Sequence, residues 1–348
     1  MKEDRTQQLR AERQVSIGRG AATAPRISVV IPTYRRPDLL LRCLNAVLDQ
    51  RLSPDSYEII VVDDGHDDET QRVVTEIARD LGPLSSLRYR RPPAGRGPAV
   101  ARNAGWRAAR GELIAFTDDD TVPDPLWLAA GERALRAQPE LVAVCGRVSV
   151  PMPDSPTDHA RMTEGLSSAE FVTANAFVWR WALEKVDGFD ERFTRAWRED
   201  SDLQFRLMDQ AGPVGRCAEA EVTHPVREAP WGLSLSQQRN TFFDALLYKK
   251  HPRLYRERIR RTPPWNYYAI VALGVATLVL LVLGERPMAV VAALLALSLV
   301  LQLAGKRLRH TSHQVDHVLE MLATSALIPF LSVYWRLRGA LHFKVFFL

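Results

Sequence analysis

Two uncharged runs near the C-terminal end constrain this chain more than any other feature: NYYAIVALGVATLVLLVLG (266–284) and, after ERP, MAVVAALLALSLVLQLAG ending at Gly305. At 1.5 Å per residue each makes a helix of about 28 Å, close to the roughly 30 Å hydrocarbon core of a bilayer. The spacing therefore predicts a transmembrane hairpin with helices over 266–284 and 287–305. RERIRR (256–261) and KRLRH (306–310) flank it, and only Glu285 and Arg286 charge the turn, so the positive-inside rule puts both outer ends in the cytoplasm. Trp265, Tyr267 and Tyr268 stand where an interfacial aromatic belt belongs. A third apolar segment from Val318, densest over 318–335, is interrupted by Glu320, Pro329 and several bases and reads as interfacial or re-entrant.

The formal net charge of +5 is concentrated in those flanks, which marks a membrane surface and not nucleic acid. Cys43, Cys145 and Cys217 are far apart and match neither a disulfide framework nor a zinc site, which fits a reduced cytoplasmic compartment. Residues 1–25 are polar, lack the apolar core of a secretory signal and read as a flexible leader. The remainder divides into a catalytic domain over 26–250, a basic linker over 251–265 and a membrane region over 266–348.

The upstream part alternates strand and helix. RISVVIPTY (26–34), YEIIVVDDG (57–65) and ELIAFTDD (112–119) are continuous apolar runs, and helical patterns follow the first two. LRYRR adds a strand and AVARNAGWRAARG a helix. Continuous strands, each followed by a helix, predict an α/β fold whose mostly parallel sheet is covered on both faces. In such sheets ligands bind beyond the carboxyl ends of the strands, and those ends carry Thr33 and Tyr34, Asp63 and Asp64, and Asp118–Asp120. Three carboxylates in a row repel one another by roughly 4 kcal/mol per close pair at an effective dielectric near 20, so a cation is expected beside them. A further helix over Glu199–Gln210 opens on two acids, which dipole complementation alone would explain.

From about Ile27 to His224 the chain resembles the family-2 glycosyltransferases of GT-A fold, of the membrane-anchored bacterial type. VVIPTYRRPDLL, EIIVVDDG, GPAVARNAGWRAARGELIAFTDDD, NAFVWRWALEKVDGFDERF and REDSDLQFRL occur in the family's order. The resemblance implies a GT-A, Rossmann-like sheet and transfer of a sugar, with inversion, from a nucleotide-sugar donor to a hydroxyl acceptor. It implies that Pro32, Thr33, Tyr34 and Arg36 border the nucleotide, that Asp63 or Asp64 reads the base edge and that Arg102 lies near the donor. Asp118 and Asp120 stand for the outer pair of the family's acidic motif, holding Mg²⁺ or Mn²⁺ against the diphosphate, with Asp119 either in metal contact or in the turn. His224 matches a position that in some relatives approaches metal or phosphate. Asp200, with Glu199 beside it, stands for the catalytic base, and Asn175 and Trp179 for the acceptor side.

The chemistry suits those residue types. A divalent ion held by carboxylates neutralises a leaving diphosphate, and a separate carboxylate takes the acceptor proton. The sequence departs from the family at His66, where a small hydroxyl residue is usual, and SQQRN (236–240) lacks the Trp and the spacing of the processive synthases' signature. The expectation is transfer of one or a few sugars in cell-envelope or exopolysaccharide assembly, at a bacterial inner membrane with the catalytic domain in the cytoplasm. The acceptor is expected to be lipid-linked or a glycan. A polyprenyl-phosphate sugar synthase and a non-catalytic, membrane-tethered nucleotide-binding protein are the alternatives.

Overall fold

The computed structural model describes residues 24–82, 86–92 and 96–348, so nearly all of the expected leader lies outside the described residues. The chain divides into two compact units. One comprises the residues up to Ser149 with Ala169–Pro225, and the other Val150–Ser168 with Val226–Leu348. Residues 150–168 and 226–250, placed by the sequence reading in the catalytic domain, thus group with the apolar helices.

The first unit is built on one eight-stranded sheet: β1 (Ile27–Thr33), β2 (Tyr57–Asp63), β3 (Leu87–Arg90), β4 (Leu113–Thr117), β5 (Val122–Pro123), β6 (Ala143–Ser149), β7 (Asn175–Trp179) and β8 (Val214–Thr223). Their order is β3-β2-β1-β4-β7-β6-β8-β5. The four strands on the β3 side run parallel, as expected. Beyond β4 the sheet is mixed, because β7 runs antiparallel to both β4 and β6.

The expected helices form as α1 (Pro37–Leu48), α2 (Asp68–Asp80), α3 (Pro98–Ala108) and α5 (Glu199–Gln210), and α4 (Trp127–Ala137) precedes β6. Val29, Val30, Ile59, Ile60, Ile114 and Phe116 are wholly buried between these layers. Gly105 sets how closely α3 approaches the sheet, since a Cβ there would lie 2.3 Å from Val30 Cγ1. Close approach matters because α3 carries Arg102 one turn earlier.

In the second unit α6 (Thr241–Lys250) leads to three longer helices, α7 (Trp265–Val282), α8 (Arg286–Leu308) and α9 (Val315–Phe343), each long and apolar enough to cross a membrane. The turn after α7 is closed by Gly284 at φ +83°, with Glu285 N–H donating to Leu280 O and Gly284 N–H to Leu281 O. That pair of bonds is the helix stop that favours glycine. α9 is continuous through Pro329. Gly232 N–H donates to Glu320 Oε1 (2.8 Å) near its start, and Lys249 Nζ donates to Phe343 O (2.7 Å) at its end. It therefore runs alongside 232–250 over its whole length. Its buried face mixes the polar Thr324, Ser325, Ser332 and Arg336 with Met321, Ile328 and Val333, whereas Leu319, Leu327, Phe330, Leu337 and Leu341 are exposed. A helix with its apolar side outward needs a non-aqueous neighbour.

Candidate active site

Parallel pairing of β1 with β4 brings Thr33 beside the acidic turn. Thr33 Oγ1 donates to Asp119 Oδ2 at 2.8 Å, and Arg36 Nη1 lies 3.3 Å from Asp119 Oδ1 and 3.6 Å from Asp120 Oδ2. Thr121 closes the turn by donating from its N–H and hydroxyl to Asp118 O. The three carboxylates have separate surroundings. Asp119 is buried and tethered, and burial pushes its pKa up to about 6 against the pull of Arg36. Asp118 is 29% exposed and accepts from Arg102 Nη2 at 2.7 Å. Asp120 is buried with His224 Nε2 3.4 Å from its Oδ1. His224 reaches it because β5 pairs with the end of β8, a link that two residues of strand hardly announce in the sequence. The chain's own Arg36 and Arg102 thus relieve part of the repulsion. Among the described residues no three His, Cys, Asp or Glu side chains gather around one metal position.

At the end of β2 the two aspartates separate in role. Asp63 accepts from Gly65 N–H (2.9 Å), Asp67 N–H (2.7 Å) and Tyr89 Oη (2.6 Å), so the turn occupies its carboxylate. Asp64 accepts from Gly97 N–H at 2.8 Å through Oδ2, and its buried Oδ1 has no hydrogen-bond partner among the described residues. Of the two, Asp64 is the one that keeps a carboxylate oxygen with no partner among the described residues. His66 takes a left-handed conformation, φ +50°, in this turn. Pro32 lies inside β1, while Tyr34 is exposed beside the Arg35 guanidinium.

The opposite wall is the start of α5. Arg198 precedes it in the left-handed region at φ +75°, and the two acids follow. Arg102 is 3% exposed and joins the walls: besides Asp118 it donates from Nη1 to Glu199 Oε1 at 3.2 Å. Asp200 accepts from Thr173 Oγ1 (2.7 Å) and Thr173 N–H (3.2 Å). Burial raises the pKa of both Glu199 and Asp200, while the Arg102 charge opposes the rise. Thr173, 27 residues before its partner, escaped the sequence reading because nothing local marks it.

Of the two expected acceptor-side residues, Asn175 pairs with Thr117 directly before the acidic turn but spends its amide within the sheet, and Trp179 lies away from it. Asn175 is wholly buried, donating to Arg147 O and Ala220 O and accepting from Trp127 Nε1, each at 2.8 Å. Trp179 pairs with Leu113 at the start of β4, away from the acidic turn, with Arg136 against its ring. For Trp179 the cause is direction, since β7 runs antiparallel to β4 and its last residue lies at the opposite end of the strands.

A family model described as glycosyl transferase family 2 matches residues 28–195. The glycosyltransferase AglE of Haloferax volcanii is 32% identical over 226 residues, which cover 62% of this chain and 72% of AglE. The chain belongs to glycosyltransferase family 2. Validoxylamine A glucosyltransferase of Streptomyces hygroscopicus subsp. limoneus is 27% identical over 252 residues, 62% of this glycosyltransferase and 52% of the relative. Chondroitin synthase of Escherichia coli is 27% identical over 278 residues, 67% and 39% respectively. The chain thus spans about half or less of those two relatives. Among solved structures, mannosyltransferase PcManGT from Pyrobaculum calidifontis, in complex with GDP-Man and Mn²⁺, superposes with a TM-score of 0.57 at 19% identity, covering 94% of this chain and 92% of that one. This likeness establishes the GT-A fold. The family match includes Thr33, Asp64, Arg102 and the acidic turn but stops short of Glu199, Asp200 and His224. Arg102 is what connects those later acids to the matched rim.

Proposed function

We propose that this glycosyltransferase moves a sugar from a nucleoside-diphosphate donor to a hydroxyl of a membrane-borne acceptor in a single inverting displacement. The observation that carries the reading is Arg102, bonded at once to Asp118 of the acidic turn and to Glu199 beside Asp200. One buried cation thereby fixes the spacing between a donor-side and an acceptor-side carboxylate. Asp64 Oδ1 suits a base N–H, and Thr33 and Arg36 hold the acidic turn in place.

Asp120 and His224 present a carboxylate oxygen and an imidazole nitrogen 3.4 Å apart, a donor pair that Mn²⁺ or Mg²⁺ takes while keeping positions open for phosphate oxygens. Those two would hold the ion, which when bound neutralises the leaving diphosphate, while Asp118 stays bonded to Arg102. Asp200 would accept the acceptor hydroxyl's proton as the oxygen attacks the anomeric carbon. Its two bonds from Thr173 fix the carboxylate, and its raised pKa suits a group that must hold a proton in the transition state.

The basic flanks of the α7–α8 hairpin support a cytoplasmic placement of both outer ends at a bacterial inner membrane. The outward apolar face of α9 supports contact of that helix with lipid. The test is transfer of labelled sugar from a set of nucleotide sugars, with Mn²⁺, to extracted membrane lipids by the purified full-length protein. Product of inverted anomeric configuration is expected. Retained configuration would overturn the single displacement, and tight donor binding without transfer or hydrolysis would favour a tethered nucleotide-binding protein.

A further inference from the structure

We propose that the second unit carries its own phosphate-binding site, floored by Arg336 and completed by Arg256 and Tyr268. Arg336 is 1% exposed, yet its Nε and Nη1 have no hydrogen-bond partner among the described residues. Its Nη2 lies 3.7 Å from Asp244 Oδ2, beyond hydrogen-bond length, and its guanidinium stands 4.5 Å over the Phe347 ring. Arg256 lies against the same ring at 5.8 Å, donates from Nη2 to the main-chain oxygen of Leu348 and keeps a buried Nη1 without a hydrogen-bond partner among the described residues. The Tyr268 hydroxyl is also buried and has no hydrogen-bond partner among the described residues, within electrostatic range of Arg336, Arg256 and Arg260. Two guanidiniums and a hydroxyl therefore offer unused donors in one locality.

Water could satisfy the N–H groups but not the charge. Asp244, 3.7 Å from Arg336, can balance one of the two guanidinium charges, and an anion held by the unused donors would balance the other. Arg also suits phosphate in particular, because its planar fork donates to two oxygens at once.

Position favours a phosphate at a membrane surface. Tyr268 lies in the first turn of α7 beside Trp265, and Arg256 and Arg260 belong to the basic segment leading into it. That is the level of lipid headgroups for a helix entering a bilayer. The same chemistry would accept free inorganic phosphate, and the experiment separates the two sources. The site is independent of the donor chemistry proposed above, since none of its residues belongs to the sheet unit.

The test uses full-length protein in neutral detergent, measuring binding to phosphatidylcholine vesicles with and without phosphatidic acid, and repeating it with inorganic phosphate as competitor. Wild type is expected to prefer the phosphatidic acid vesicles, and Arg336→Gln, Arg256→Gln and Tyr268→Phe each to weaken that preference, the arginine changes by about tenfold. Tyr268→Phe removes a single hydroxyl, so it reports on the site even if Arg336→Gln fails to fold. Competition by millimolar inorganic phosphate would support the site with free phosphate as its ligand, and insensitivity to it would support the lipid. Equal binding to both vesicles with no effect of inorganic phosphate would overturn the proposal. So would a preference that survives all three substitutions, because it would then arise from exposed bases such as Arg258 and Arg261.

Discussion

At the rim of the sheet Arg102 is buried with carboxylate oxygens at 2.7 and 3.2 Å, whereas in the membrane unit Arg336 is buried as deeply and faces its carboxylate at 3.7 Å. A third arginine, Arg307, shows that the membrane unit can satisfy such a group. It donates to Asp158 Oδ2, Ser234 Oγ, Thr324 Oγ1 and Ser325 Oγ at 2.7 to 3.1 Å. Two of the three hold structure together: among the described residues Arg102 leaves only its Nε without a partner, whereas Arg336 leaves both Nε and Nη1. Burial alone says little about what a charge does, and the count of unused donors separates a brace from a binding group.

That contrast is open to breakage. Arg102→Met would strand Asp118 and Glu199 beside Asp200, and removing one member of a buried ion pair costs about 3–5 kcal/mol. A large fall in unfolding free energy is expected by denaturant titration, and an unchanged midpoint would mean that the walls are held apart by other means. Arg307→Ala is expected to fall in the same way, but Arg336→Met, which gives up only the looser pairing with Asp244 at 3.7 Å, is expected to lower the melting temperature less in phosphate-free buffer. If Arg336→Met destabilised the protein as strongly as Arg307→Ala, the distinction between brace and binding group would collapse.

A smaller effect concerns pH. Burial raises the Glu199 pKa above its ordinary 4.5, so over the interval up to the raised value the folded state holds more protons than the unfolded one. Stability then declines as pH rises through that interval. The melting temperature is expected to fall between about pH 5 and about pH 8, and Glu199→Gln to flatten the decline. An unaltered slope in the variant would assign the effect to another group. Smallest of all, Arg72 pairs with Glu69 and Glu76 on the exposed face of α2, and Arg72→Ala is expected to leave the melting curve in place, because solvent screens such pairs.

Much of this was legible in the residues. β1, β2 and β4 are continuous apolar runs, the ends of β2 and β4 carry the acids, and α5 begins at Glu199 as its periodicity predicts. What escaped was pairing between distant segments. The reversal of β7 sends Trp179 to the opposite end of the strands, and nothing in NAFVW announces a direction. Choosing Asp64 over Asp63 required knowing that Tyr89 and two turn amides already occupy Asp63. Arg102 was recognisable through its family motif, but its bond to Glu199 spans 97 residues and no local pattern encodes it. The polar part of the inner face of α9, including Arg336, was visible only as bases interrupting an apolar run.

The central claim, that Asp200 takes the acceptor proton while the acidic turn holds the donor, is tested most directly by Asp200→Asn measured for turnover and donor binding in parallel. The substitution keeps the side chain's shape and one acceptor oxygen. Turnover is expected to fall by about a thousandfold, with donor affinity within about twofold of wild type. Undiminished turnover, or an equal loss of donor binding, would contradict the account.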